Sequence, residues 1–419
     1  MLPVHLKGMK CIYSAGLWFY YLGILLASIF NPKARLWIRG RKGIFRQLSN
    51  TIQNDPVIWF HVASLGEFEQ GRPVMEEIKH RYNHYKILLT FFSPSGFEIR
   101  KNYNGADYIF YLPLDTKYNA RRFIRLVKPT MAFFVKYEFW YYYIHELDNN
   151  QIPVYLISAI FRPGQVFFSW YGGWFRKMLY CFNHLFVQTE QSLDLLHGIS
   201  VNNVTLAGDT RFDRVLQIAS GTKEIPMAAG FKGDQPCLIA GSTWPYDEDL
   251  LLQYINDFHG QAKFIIAPHE VNEEHIQKII QQLKKSYVRF SEAFETEVPV
   301  KQVLIIDNIG MLSSLYRYGN IAYIGGGFGK GIHNILEAAT FGLPVVFGPN
   351  FSKFNEAFEL IGLGGAVSIA AFEDLKIILD RWFDSADERN RTGQISKAFV
   401  RKNAGATAMI LNRIFSNPV

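Results

Sequence analysis

The chain is 419 residues long, which exceeds one ordinary hydrophobic core and implies two domains, and it carries a formal charge of +7. Hydrophobic residues at 49% and charged residues at 19% exclude a disordered chain, and no Lys/Arg block marks a nucleic-acid arm. The positive balance favours anionic partners: phosphates, nucleotides or acidic lipid surfaces. The three cysteines, Cys11, Cys181 and Cys237, lie too far apart for a metal site and read as reduced thiols of a cytoplasmic protein.

Residues 11 to 30, CIYSAGLWFYYLGILLASIF, contain no charged residue and match the roughly 20 apolar residues of a spanning helix. Lys7 and Lys10 precede this run; Lys33, Arg35, Arg39, Arg41, Lys42 and Arg46 follow it. The heavier flank predicts that the body of the protein stays cytoplasmic. A secretory signal, a buried core helix and a membrane anchor all fit the composition, although the basic downstream flank disfavours the signal. The Trp18-Phe19-Tyr20-Tyr21 cluster suits the headgroup level and favours shallow insertion over a clean span.

From about residue 55 short apolar strands alternate with helices. PVIWFHVAS, YKILLTFFS, ADYIFYLP, TMAFFVKYEF and IPVYLISAI read as strands, with NARRFIRLVK among the helices between them. HLFVQTE, PCLIAGS, AKFIIAPHE, KQVLIID, NIAYIGGGF and LPVVFGP repeat the habit. Such runs predict parallel sheets covered on both faces, in two α/β halves. The boundary is placed near residues 204 to 236, where GTKEIPMAAGFKGDQP has the composition of a linker. The tail ISKAFVRKNAGATAMILNRIF reads as an amphipathic helix. Ligands of open parallel sheets bind at the carboxyl ends of strands, so HVASLGE, IAGSTW, APHE and the glycine loop are expected in one cleft.

The motifs narrow the chemistry. HVASLGE ends a strand with small residues and Glu67, either an ordinary helix-start residue or a base at the mouth of a site. VKYEFW places Lys136 and Glu138 on one side of a strand by period two, as a surface pair or as hydroxyl binders. IAGSTW offers Ser242 and Thr243 as a helix cap, as phosphate contacts, or as both. His269 in APHE is not part of a zinc-binding HExxH pattern, because position 273 is Glu. GGGFGKGIHNILEAATFGLPVVFGP is neither a Walker A loop nor a dinucleotide fingerprint. It is a backbone that approaches a ligand closely and feeds a helix start at His333 and Asn334, with Glu337 one turn on.

These blocks, with KYEFW, ISAIFR, GDTRFD and DNIGML in the same order, resemble the bacterial 3-deoxy-D-manno-octulosonate (Kdo) transferases of lipid A biosynthesis. The resemblance implies a GT-B fold: an anchor and basic flank over residues 1–46, an acceptor domain over 47–210, a nucleotide-sugar domain over 211–395, and a helix over 396–419 crossing back. It implies inverting transfer of Kdo from CMP-Kdo to a lipid A precursor at the cytoplasmic face of the inner membrane, with no cofactor and no catalytic metal. Glu67 matches the family's proposed base, and Ser64, Gly66, Lys136 and Glu138 fall on the acceptor side. Ser242, Thr243, His269, Asn308, Gly310, Gly327, His333, Asn334 and Glu337 match the donor side. The chain departs from the family where Ala267-Pro268 precede His269, where Ile332 precedes His333, and where Tyr141 follows Trp140. A glycosyltransferase using a UDP-sugar and a non-catalytic nucleotide-binding membrane protein are the alternatives.

Overall fold

A computed structural model describes residues 4–53 and 55–416. Residues 1–3 and the side chain of Lys7 in the expected anchor, position 54, and residues 417–419 of the expected tail helix lie outside the described residues. The chain forms two compact units, Met1–Asp213 with Ala404–Val419, and Arg214–Asn403.

The first unit holds a seven-stranded parallel sheet. Its strands are β1 (Val57–Val62), β2 (Lys86–Phe91), β3 (Tyr108–Tyr111), β4 (Pro129–Val135), β5 (Val154–Ala159), β6 (His184–Val187) and β7 (Val204–Leu206), in the order β3-β2-β1-β4-β5-β6-β7. All six residues of β1 are buried, as expected of a strand covered on both faces. Alternate residues feed opposite layers. Trp59 packs on Phe123 on one face, with centroids 4.8 Å apart, and Phe60 stacks on Phe133 on the other at 4.6 Å. The order reverses between β1 and β4, so the loops leaving their carboxyl ends splay apart and leave a crevice.

The N-terminal helix Val4–Ala27 contradicts the buried-core reading. Trp18 and Phe19 are 70% and 74% exposed. Its other face is held: Tyr13 donates to Asp115 at 2.6 Å, and Ser14 pairs with Tyr142 at 2.6 Å. Gly8–Ala27 is long and apolar enough to cross a membrane by length and composition.

The second unit holds another seven-stranded parallel sheet. Its strands are β8 (Cys237–Thr243), β9 (Lys263–Pro268), β10 (Tyr287–Arg289), β11 (Val303–Ile305), β12 (Ile321–Ile324), β13 (Val345–Phe347) and β14 (Ala366–Ser368), in the order β10-β11-β9-β8-β12-β13-β14. Here the order reverses between β8 and β12.

Two expectations change. The stretch read as a linker forms the helix Pro226–Lys232, anchored by buried Ala228 and Phe231. The tail is two helices, not one. Ala386–Asn403 stays in the second unit, and Gly405, at φ 114, opens the helix Ala406–Phe415 that returns to the first. Asp213 accepts from Gly405 N at 2.5 Å and Thr407 N at 2.7 Å, and so caps that return helix. Phe415 then stacks on Tyr82 at 4.1 Å.

Candidate active site

In the first unit the expected residues gather at the β1/β4 reversal. Ser64 is the N-cap of the helix Leu65–Arg81, and Glu67 folds back to it. The Glu67 carboxylate accepts from Ser64 N at 3.1 Å and from the Ser64 hydroxyl. The helix-start role and the site position therefore coexist in one side chain. Gly66 is exposed, and a Cβ there would meet only Ser64 Oγ at 3.8 Å, so nothing inside the chain requires glycine.

Lys136 and Glu138 do not share a strand face, which corrects the period-two reading. Strand β4 ends at Val135, and Lys136 turns left-handed at φ 67, held by its N–H to Ile157 O at 2.9 Å. That turn sends Glu138 inward. It is buried, accepts from Trp140 Nε1 at 2.6 Å and pairs with His61 Nε2 at 3.2 Å. His61 Nδ1 lies 2.9 Å from Thr90 Oγ1, which itself accepts from Trp59 Nε1 at 2.8 Å. His61 Nδ1 also lies 3.2 Å from Thr90 O, and the Thr90 hydroxyl donates to Phe60 O at 3.3 Å, so the ring is held at both nitrogens. His61, Thr90 and Tyr137 are absent from the expected set. A histidine inside the apolar run VIWFHV was the only cue. Tyr137 sits near Glu67: burial raises its pKa first, Arg162 opposes this, and the Glu67 charge raises it again.

Other quoted motifs are structural here. The Ser158 and Thr210 hydroxyls meet at 3.0 Å, and Asp209 pairs with Arg211 at 2.7 Å. GDTRFD thus supplies interior bonds and the Asp213 cap.

In the second unit the expected residues follow the carboxyl ends of β8, β9, β11 and β12. Ser242 is left-handed at φ 54. Neither it nor Thr243 caps the next helix; Trp244 is the N-cap, and Asp247 accepts from its N–H at 3.0 Å. Thr243 instead donates to buried Glu248 at 2.8 Å. Asp247 also accepts from Gly326 N at 2.8 Å and Tyr323 OH at 2.7 Å; burial raises its pKa and these donors pull it back. Asp247 therefore ties the β8 turn to the glycine loop. Gly327 has to be glycine, because a Cβ would lie 2.6 Å from the Gly348 backbone.

His333 is half-buried, and Asn334 caps the short helix Ile335–Thr340, accepting from Leu336 N at 3.1 Å and donating to Glu337 at 3.1 Å. His269 takes its place through a bond from its N–H to Thr243 O at 2.9 Å. Gly310 adopts φ 91 in the loop after β11, beside Asn308. The Asn308 Oδ1 is buried with no partner among the described residues.

Over most of its length the chain superposes on solved two-domain enzymes. MurG from Acinetobacter baumannii matches with a TM-score of 0.55 at 12% identity, over 87% of this chain and 100% of that one. Two parallel-sheet units of this kind define the GT-B class of fold. Residues 38–214 match the family described as 3-deoxy-D-manno-octulosonic-acid transferase (kdotransferase). A 3-deoxy-D-manno-octulosonic acid transferase from Haemophilus influenzae is 24% identical over 94% of this chain and 93% of its own. Another from Aquifex aeolicus is 28% identical over 74% and 80%. The chain is thus similar, over the first unit by family model and over most of its length by relatives, to the bacterial Kdo transferases, which are glycosyltransferases.

Proposed function

We propose that the protein transfers Kdo from CMP-Kdo to the primary hydroxyl of a lipid A precursor, with inversion, at the cytoplasmic face of the inner membrane. The observation that carries the catalytic part is Glu67, a half-buried carboxylate held at the carboxyl end of β1 by Ser64, in a crevice position. A carboxylate so placed takes the proton of an attacking hydroxyl as the new bond forms, which contributes roughly 10²–10⁴-fold. Glu138, fixed by Trp140 and His61, orients the acceptor rather than moving its proton, since its hydrogen bonds are spent on the fold. In the second unit, backbone N–H groups of the Ser242-Thr243 turn and the glycine loop stabilise the charge that grows on the departing CMP. Asn308 holds the nucleotide with its unpartnered oxygen.

A lipid acceptor fits the surface of the first unit. A groove of about 760 Å³ runs beside the N-terminal helix, walled by Leu17, Trp18 and Trp37 and rimmed by Lys42, Arg46 and Arg122. Apolar walls under a cationic rim suit a phosphorylated acyl lipid at a membrane surface.

The test is turnover with CMP-Kdo and a tetraacylated, diphosphorylated glucosamine-disaccharide acceptor. Glu67→Gln keeps an oxygen for the Ser64 cap and loses the base. Its kcat should fall by roughly 10²–10⁴-fold with CMP binding unchanged. Near-normal transfer by that variant would reject Glu67 as the base, and competition by UDP rather than CMP would reject the donor.

A further inference from the structure

Three rings at the strand ends of the second unit have no part in the chemistry above as a group. His269 stacks on Trp244, with centroids 4.6 Å and planes 24° apart, and on His333, at 4.5 Å and 29°. The indole and the second imidazole are joined directly, Trp244 Nε1–H donating to His333 Nε2 at 3.1 Å. An indole N–H only donates, so Nε2 is the unprotonated nitrogen and the ring proton of His333 sits on Nδ1. The Cδ2–Nε2 edge of that ring faces Gly326, whose added Cβ would come within 3.0 Å of Cδ2 and 3.3 Å of Nε2. Nδ1 lies on the opposite edge and has no hydrogen-bond partner among the described residues.

We propose that Trp244 is a positioning residue that locks His333 in its Nδ1–H form, so that the site offers a neutral N–H donor to an anionic oxygen of the donor's phosphate. The ligand half rests on the nucleotide-sugar reading above; the tautomer rests on geometry alone. Burial, and secondarily the nearby His269, push the His333 pKa down to about 4, so the neutral ring persists across the neutral range. Which ring nitrogen carries the proton is set by the bond the other one makes. Removing the indole N–H therefore releases the proton from Nδ1.

Histidine nitrogen spectra of the full chain at neutral pH test the first half, with His333→Gln supplying the assignment. Wild-type His333 should show the Nδ1–H form, and Trp244→Phe, which keeps a stacked ring without the N–H, should shift it to Nε2–H. An Nε2–H form in the wild type, or an unchanged form in Trp244→Phe, overturns the assignment; the wild-type spectrum decides even where the variant folds poorly. CMP titration tests the second half. Affinity should fall about tenfold in Trp244→Phe, the worth of one hydrogen bond to a charged group. Equal affinity in the two proteins overturns the link to the phosphate. A wild-type chain that keeps the Nδ1–H form but binds no CMP overturns the nucleotide reading and the ligand half with it, while the hold of Trp244 on the tautomer stands.

Discussion

Glu138 shows how one backbone angle reassigns a side chain. Period two along a strand puts Lys136 and Glu138 on the same face, but the left-handed turn at Lys136 breaks the strand first and drives the carboxylate inward. There it satisfies a histidine and an indole that would otherwise be buried donors without acceptors. Glu138→Ala should therefore destabilise the first unit by roughly 2–4 kcal/mol, and Glu138→Gln by less, in urea unfolding. A second residue-scale expectation concerns Asp115, which accepts from Tyr13 OH and from the N–H groups of Tyr142 and Tyr143. Burial raises its carboxyl from 3.8 to about 6, with those three donors opposing the shift. The folded state thus binds this proton more tightly than the unfolded one. The contribution is fully present below about pH 4 and is lost as pH rises through about 6. The stability difference between wild type and Asp115→Asn should fall by roughly 2–3 kcal/mol across that window, measured by denaturant midpoints at each pH.

At the scale of elements, the strands were legible because apolar, β-branched runs bounded by turn residues have few other structures available. Strands β7, β10 and β14 were not. Each is three residues long, and pairing with a neighbour, not its own composition, makes it a strand. The tail was legible as helix but not as two helices. Only the contacts of Ile410, Leu411 and Ile414, all buried in the first unit, show that the last helix has changed partners. Leu411→Ala should cost roughly 2–5 kcal/mol of first-unit stability, and should expose the tail to proteolysis near Gly405. The site motifs were readable as strand-end blocks. Their division of labour was not, since Thr243 binding Glu248 and Asp247 binding the glycine loop depend on which strands are adjacent.

For the molecule as a whole, charge and exposed apolar surface occur together on the first unit. Ile12, Trp18, Phe19, Leu26 and Phe30 are exposed on or just after the N-terminal helix, and Lys42, Arg46 and Arg122 have no carboxylate partner among the described residues. Co-sedimentation with anionic vesicles should weaken by about 1 kcal/mol for each of these three charges removed, and should weaken further with added salt. Binding that ignores all three would leave the helix alone as the membrane contact. Composition and periodicity already carry the class of fold, the order of the blocks and the basic, apolar N-terminus, because these depend on local preference and on counting. The tertiary structure decided what local rules cannot reach: the pairing of inward-turned Glu138 with His61 and the stack of Trp244, His269 and His333. Each joins groups distant in the chain, and the order of the strands determines which of them meet.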